Sequence, residues 1–231
     1  CLAISADPLP GAWVRLVALE RNVNNYRHSF LQLAAMFDDV LDALVAQGVE
    51  IVGWMAPITW PLDWPEKLGF HLKEEIITYQ KPTFALPRLN HVEGLIIRSG
   101  TASDAEELEA VEARTFEPLW RHSALGLIQA MKQAFSFDVA ELNGKIVGFQ
   151  HSAQSRGAAV HLARITVDPS CQSIGIGSQL LAHAIQGYQL RGAINMTLNT
   201  ESSNKGAQAL YKRFFYKPND HRFPLYAMEL D

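Results

Sequence analysis

The stretch best suited to chemistry is Gln172-Ser173-Ile174-Gly175-Ile176-Gly177. Ahead of it runs the apolar, strand-like segment His161 to Val167, closed by Asp168-Pro169. Behind it, Leu180, Leu181, Ala184, Ile185 and Tyr188 recur at three- and four-residue steps, the spacing of one helix face. The glycines therefore fall in a strand-to-helix turn. There the amides of the first helical turn lack intrahelical partners, and the positive end of the helix dipole favours an anion. A residue without a Cβ lets a ligand approach the backbone closely. A phosphate-bearing cofactor is expected to dock at this turn.

The rest of the composition narrows the field. A chain of 231 residues holds one large domain or two small ones. Its net charge of -4 argues against a general nucleic-acid binder, which would carry a basic patch. No apolar run is long enough for a membrane helix, and the first eight residues lack the pattern of a signal peptide. Cys1 and Cys171 make no disulfide framework, so a reducing, cytoplasmic setting is expected. Cys1 as a self-processing nucleophile finds no supporting residues elsewhere, and no metal centre is read from the chain.

The elements that must position the turn follow from periodicity. Gly11–Glu20 reads as a strand. Ser29 is the expected cap of a long amphipathic helix through Phe30, Leu33, Phe37, Val40, Leu41 and Leu44, stopped at Gly48. Val49–Met55 and Phe70–Gln80 read as strands around an irregular segment rich in proline and tryptophan. After a proline-containing linker, Gly94–Arg98 opens a second unit. Ser103 with Glu106 has the form of a capping box. Helices to about Phe116 and over 124–134 precede three strands, Phe135–Leu142, Lys145–Gln154 and Ala158–Val167, with Asn143-Gly144 as a hairpin turn. Beyond the glycine turn come a helix ended by Gly192, a strand over Ala193–Asn199, a helix over Asn204–Phe214, and strands over Phe215–Lys217 and Phe223–Leu230. The expected class is α/β, a mixed central sheet with helices on both faces. The succession strand, helix, strand, short helix, strand occurs twice, at 11–80 and at 158–230.

This order and these motifs resemble the GNAT superfamily of N-acetyltransferases over about residues 94–231. The most specific part is Gln172 to Gly177, which fits the family's Q/R-x-x-G-x-G/A loop. A second motif, Asn204-x-x-Ala207-x-x-Leu210-Tyr211, stands at the family's distance from it. The resemblance implies acetyl-CoA as donor and an amine, on a small molecule or a peptide, as acceptor. It implies that the pyrophosphate is held by Gln172, Ser173, Ile174, Gly175, Ile176, Gly177 and Ser178. The pantetheine arm would lie along the backbone of Ile165, Thr166 and Val167, near Asn204 and Ala207. Tyr211 matches the family's usual general acid. A base must also accept the amine proton. His151 and His161 are the expected candidates, because imidazole titrates near neutrality; Glu117 and Glu201 are further ones.

Each assignment has a plainer alternative. The glycines would serve close helix–strand packing, Tyr211 would be a core aromatic, and Asn204 a helix cap. Where the family often has Gly-Phe after Leu-Tyr, this chain has Phe214-Phe215-Tyr216. The N-terminal unit resembles only the later half of such a domain. It keeps Glu66 to Phe70 and a closing strand, but Arg21 to Ser29 contains no glycine. The expected organisation is a degenerate partial unit at 1–86, a linker at 87–93 and an acetyltransferase domain at 94–231. The first unit would wall the acceptor cleft, supply a sheet edge, or mediate a homodimer. Trp54, Trp60 and Trp64 are its interface candidates, with ordinary core packing the commoner role. The alternative function is a non-catalytic acyl-CoA-binding regulatory module.

Overall fold

The computed structural model describes residues 1–19, 26–56, 60–61, 63–155 and 157–230. In chain order the strands and helices are β1 (Leu2–Ser5), β2 (Gly11–Val17), α1 (Tyr26–Ala46), β3 (Ile51–Trp54), α2 (Trp64–Lys67) and β4 (His71–Lys81). Then come β5 (Leu95–Ser99), α3 (Ala105–Thr115), α4 (Ala124–Gln133), β6 (Ser136–Leu142), β7 (Lys145–Gln154) and β8 (Ala159–Val167). The chain closes with α5 (Ile176–Leu190), β9 (Asn195–Glu201), α6 (Lys205–Arg213) and β10 (Lys217–Glu229). Three sections, Cys1–Ile76, Glu117–Arg121 and Phe223–Asp231, form one compact unit; Ile77–Phe116 and His122–Arg222 form another.

This division differs from the contiguous one expected at residue 86. The cause is strand pairing. The end of β10 runs antiparallel to β3, with Tyr226 opposite Trp54 and Glu229 opposite Ile51, so the C-terminus completes the first unit. The chain passes between units within β4 and within β10. Of the expected strands at Phe215–Lys217 and Phe223–Leu230, Lys217 and Phe223–Glu229 are parts of this one strand, whereas Phe215, at φ +64°, lies in the turn that ends α6 and Tyr216 links it to the strand. The polar stretch between them continues it without an apolar period. Strand β1 was not foreseen; it pairs antiparallel with β2.

In the first unit the strand order is β1-β2-β3-β10-β4, with β2 and β3 parallel. Leu33, Phe37 and Leu44 of α1 are buried on this sheet, and burial of each such side chain contributes about 1.5–3 kcal/mol. Ser29 lies within α1 and is buried, so it is not the cap; the preceding residues Glu20–Asn25 lie outside the described ones. Gly48, at φ +84°, ends the helical segment as expected. Trp54 and Trp64 are core residues, joined through Trp60 by ring contacts of 6.1 and 5.6 Å. Their packing is internal. The turn Pro118–Trp120 seats Leu119 against Gly53, and Trp13 Nε1 donates to the Leu119 carbonyl at 2.7 Å.

In the second unit the order is β4-β9-β8-β7-β6-β5. On one face α3 and α4 bury Leu108, Val111 and Leu127 against Phe137, Val139 and Phe149. On the other, α5 packs Leu180 on Ala140 and Val147, and Leu181, Ile185 and Tyr188 on Val160, Leu162 and Leu198. Helices thus cover both faces, as the pattern predicts. The capping box lies two residues earlier than expected: a one-turn helix, Ala102–Asp104, precedes α3, and Asp104 Oδ2 accepts the Thr101 N–H at 2.8 Å. Arg98 grips the same carboxylate and holds its pKa down to about 2.

Two glycine substitutions with opposite signs check this packing. A Cβ on Gly11 would stand 3.0 Å from the Leu119 Cα and the Pro118 carbonyl, both backbone atoms. Gly11→Ala is expected to destabilise by about 1–3 kcal/mol. Gly187, in α5, has nothing within 4 Å of that position. Gly187→Ala is expected to stabilise by about 0.5–1 kcal/mol. Denaturant melts of the full chain read both.

Candidate active site

Asp168 shapes the entry to the glycine turn. Its Oδ1 accepts the Ser170 N–H at 3.0 Å and hydroxyl at 2.6 Å, while Oδ2 pairs with Arg114 at 2.7 Å. Ser170 and then Arg114 hold this carboxyl below its usual range. The chain next passes through two left-handed residues, Ser173 at φ +65° and Gly175 at φ +106°, and enters α5 at Ile176. At Gly175 a glycine is required by conformation. At Gly177 it is not required by packing: a Cβ there would stand 3.6 Å from Leu210 and 3.7 Å from Val167, ordinary contact distances. The packing explanation therefore fails at Gly177, and the room it leaves favours a ligand. Among the described residues, no protein group accepts the N–H of Ser173, Ile174, Gly175, Ile176, Gly177 or Ser178. Six successive donors at a helix start stand without a protein acceptor among the described residues, a fit for a pyrophosphate. The Gln172 side chain is used otherwise, donating to the Val167 carbonyl at 2.9 Å.

The strand ahead of the turn opens a second feature. Strands β8 and β9 pair in parallel only from Ala159–Asn195 to Leu162–Leu198. Beyond that point β8 continues to Val167, still paired with β7 but not with β9. Among the described residues, the edge of Ile165–Val167 that faces away from β7 has no ladder partner. Such an edge accepts an extended, amide-bearing chain as an added strand, as the resemblance implies for Ile165, Thr166 and Val167. A bulge marks the start of the divergence: β7 residues Ser152 and His151 face Leu162 and Arg164, leaving Ala163 extra. Val160 and Leu162 pack under α5, whereas Arg164 and Thr166 reach α3.

What they reach is Glu112, whose side chain is fully buried. Its Oε2 accepts Arg164 Nη2 at 2.9 Å and the His122 N–H at 3.2 Å, and lies 3.0 Å from His122 Nδ1. Its Oε1 accepts the Thr166 hydroxyl at 3.0 Å. Burial alone would raise the Glu112 pKa; the His122 hydrogen bond, the Arg164 charge and Thr166 outweigh it, and the carboxyl sits below its usual range. The Arg164 guanidinium also lies 4.1 Å from the centre of the Phe116 ring. Sequence reading missed this network, because nothing local marks a glutamate and an arginine 52 residues apart as partners.

The remaining candidates divide. Tyr211 is 5% exposed, with ring contacts of 6.1 Å to both Tyr79 and Tyr216. Burial pushes its pKa up, so the phenol keeps its proton. It is a core aromatic by packing, and its hydroxyl feels the charges of Glu201 and Arg164. Asn204 is the cap of α6, accepting the Ala207 N–H at 3.0 Å. His151 stacks on Phe137, and burial, then the charges of His122 and Arg164, push its pKa down to about 4. His161 Nδ1 lies 2.9 Å from the Thr197 hydroxyl, and burial lowers its pKa too. Burial thus moves both imidazoles below the ordinary value on which the expectation of a base rested. Glu117 belongs to the first unit, where it pairs with Lys73 at 3.2 Å.

Residues 105–215, just under half of the chain, match the acetyltransferase (GNAT) family. A mycothiol acetyltransferase of Clavibacter michiganensis subsp. michiganensis is 31% identical over 132 residues, 54% of this chain and 43% of that protein. The chain thus spans less than half the length of this relative. Among solved structures, a GCN5-related N-acetyltransferase from Sphaerobacter thermophilus superposes with a TM-score of 0.62 at 16% identity, covering 95% of this chain and 72% of that one. A tandem GNAT protein from the clavulanic acid biosynthesis pathway gives 0.59 at 14% identity, covering 97% and 77%. At these identities the likeness is one of fold.

The buried network makes a pH-dependent prediction. Glu112→Gln leaves the Arg164 charge without its counter-ion and is expected to cost about 3–5 kcal/mol at neutral pH. Because the folded-state pKa of Glu112 is depressed, its contribution is complete above the ordinary carboxylate range and is lost as pH falls through the folded value. The stability gap between wild type and variant should therefore narrow as pH falls below about 4. Thermal melts from pH 7 to 3 check this.

Proposed function

We propose that the second unit transfers an acetyl group from acetyl-CoA directly to a primary amine. The observation that carries this reading is the conjunction of six unpartnered amides at Ser173–Ser178 with the open β8 edge beside them. One offers a cradle for a pyrophosphate, the other a strand partner for the amide-bearing arm attached to it. Acetyl-CoA would supply an acetyl group activated as a thioester. Backbone groups of Ile165, Thr166 and Val167 would orient that arm. Tyr211, kept protonated by burial, would give its proton to the departing sulfur. Transfer is read as direct: Ser170 gives its hydroxyl proton to a hydrogen bond with Asp168, a carboxyl held below its usual range and so a weak base, and Cys171 lies 3.6 Å from that hydroxyl, which is no base.

The donor half is tested first by calorimetry. Gly177→Glu places a bulky anion in the cradle and should abolish acetyl-CoA binding while leaving the thermal melt near that of wild type. Unchanged affinity would sink the assignment. Tyr211→Phe should keep acetyl-CoA affinity and lower turnover by about 10²–10⁴. If wild type binds acetyl-CoA and Tyr211→Phe leaves the rate unaltered, a different proton donor serves the sulfur.

A further inference from the structure

The split between β8 and β9 has a counterpart in the first unit. Strands β2 and β3 pair in parallel only from Gly11–Ile51 to Trp13–Gly53, while β2 runs on to Val17 against β1 alone. A bulge marks this split as well: β1 residues Ile4 and Ala3 face Val14 and Leu16, leaving Arg15 extra. Among the described residues, the edge of Arg15–Val17 that faces away from β1 has no ladder partner. A row of backbone donors and acceptors without a ladder is a template for another strand. Here, however, the sequence Arg21 to Ser29 that leads into α1 holds no glycine, so the turn that accompanies the split in the second unit has no counterpart in sequence.

The side chains beside this edge favour one kind of strand. Val14, Val17 and Trp54 join the core beneath α1. On the opposite face Trp13 meets Trp120 at 5.3 Å, and the Arg15 guanidinium lies 5.9 Å from the centre of the Trp13 ring. Among the described residues that guanidinium makes no ion pair and no hydrogen bond. Partial burial lowers its pKa, and no carboxylate acts in the other direction, as Asp104 and Glu141 do on Arg98. A guanidinium withdrawn in part from water and lacking an anion is one half of a charge pair. Leu16 on β2 and Met55, just past the end of β3, are each 52% exposed.

We propose that this edge of the first unit binds an extended acidic peptide as an added strand, with an acidic side chain of the peptide on Arg15 and apolar neighbours on Leu16 and Met55. The ladder gives affinity whatever the sequence, and the guanidinium and the two apolar side chains give the choice of sequence. Such binding is independent of acetyl transfer.

The test pans fully randomised, phage-displayed heptapeptides on the immobilised full chain. Enriched sequences are then synthesised with a dye and titrated by fluorescence anisotropy. They are expected to carry aspartate or glutamate with an apolar residue two places away. Exchanging that acid for its amide should weaken binding to wild type about tenfold. Arg15→Gln should weaken the acidic peptide about as much and leave the amide peptide unaltered. Leu16→Glu, at an exposed position, should repel the acidic peptide and serves as a second variant. N-methylation of alternate peptide nitrogens removes ladder donors and keeps every side chain; in one of the two alternating sets it should cost about tenfold or more. Gly177→Glu and saturating CoA should both leave the affinity unchanged. Panning that enriches no sequence, or sequences without an acid, would overturn the proposal. So would an acidic peptide that binds both variants as well as wild type, tolerates N-methylation in both sets, or is displaced by CoA.

Discussion

The site in the second unit depends on one carboxylate buried under α3. Glu112 takes Arg164 on one oxygen and Thr166 on the other, and these two side chains belong to the limb of β8 that has left β9. A parallel pair of strands gains a hydrogen bond at each step it continues, so a divergence must be held open by something else. Here the extra residue Ala163 turns Arg164 and Thr166 away from α5, and Glu112 fastens them to α3. The geometry of the proposed donor site and the charge balance of the core are therefore one arrangement. A buried ion pair of this kind adds little to stability over an apolar substitute, yet removing one partner is costly. Its use is positional.

The same carboxylate decides which charges are available nearby. With Glu112 on its guanidinium and the Phe116 ring beside it, Arg164 is held toward α3, and Glu201 acts on it electrostatically. Burial keeps Tyr211 protonated, and it also lowers the proton affinity of His151 and His161. The same dry surroundings act in opposite directions on a phenol and on an imidazole, because in each case they favour the neutral form.

How far the sequence disclosed this depends on whether a feature is local. The glycine turn was legible because its requirements are written in one contiguous stretch, 161–188: a strand period, an Asp-Pro turn, a glycine where φ is positive, and a helical period. The α5 and α6 faces were legible for the same reason. The alternation of β2-α1-β3-α2-β4 with β8-α5-β9-α6-β10 was visible as a repeated order, and the parallel pairing of β2 with β3 and of β8 with β9 follows it. What stayed hidden is non-local. Nothing in the stretch around Ala163 announces a bulge, and Glu112 sits in a helix face that also reads as solvated. The return of β10 to β3 could not be read from β10 alone, because its central Pro218–Arg222 has no strand period.

The repeated order also shows what separates the two units chemically. In the second, the succession strand–turn–helix carries Gly175 at φ +106° and amides without protein acceptors. In the first, the connection into α1 has no glycine in its sequence, and most of it lies outside the described residues. The first unit spends its own glycines differently. Gly11 and Gly53 lie where Leu119 presses on the β2–β3 surface, close enough that a Cβ would collide at 3.0 and 2.9 Å. There a missing side chain makes room for protein; at Gly177 a Cβ would meet Leu210 and Val167 only at ordinary contact distance. Two strand–helix units of the same order thus differ in what their glycines do, close packing in the first and a left-handed turn at Gly175 in the second.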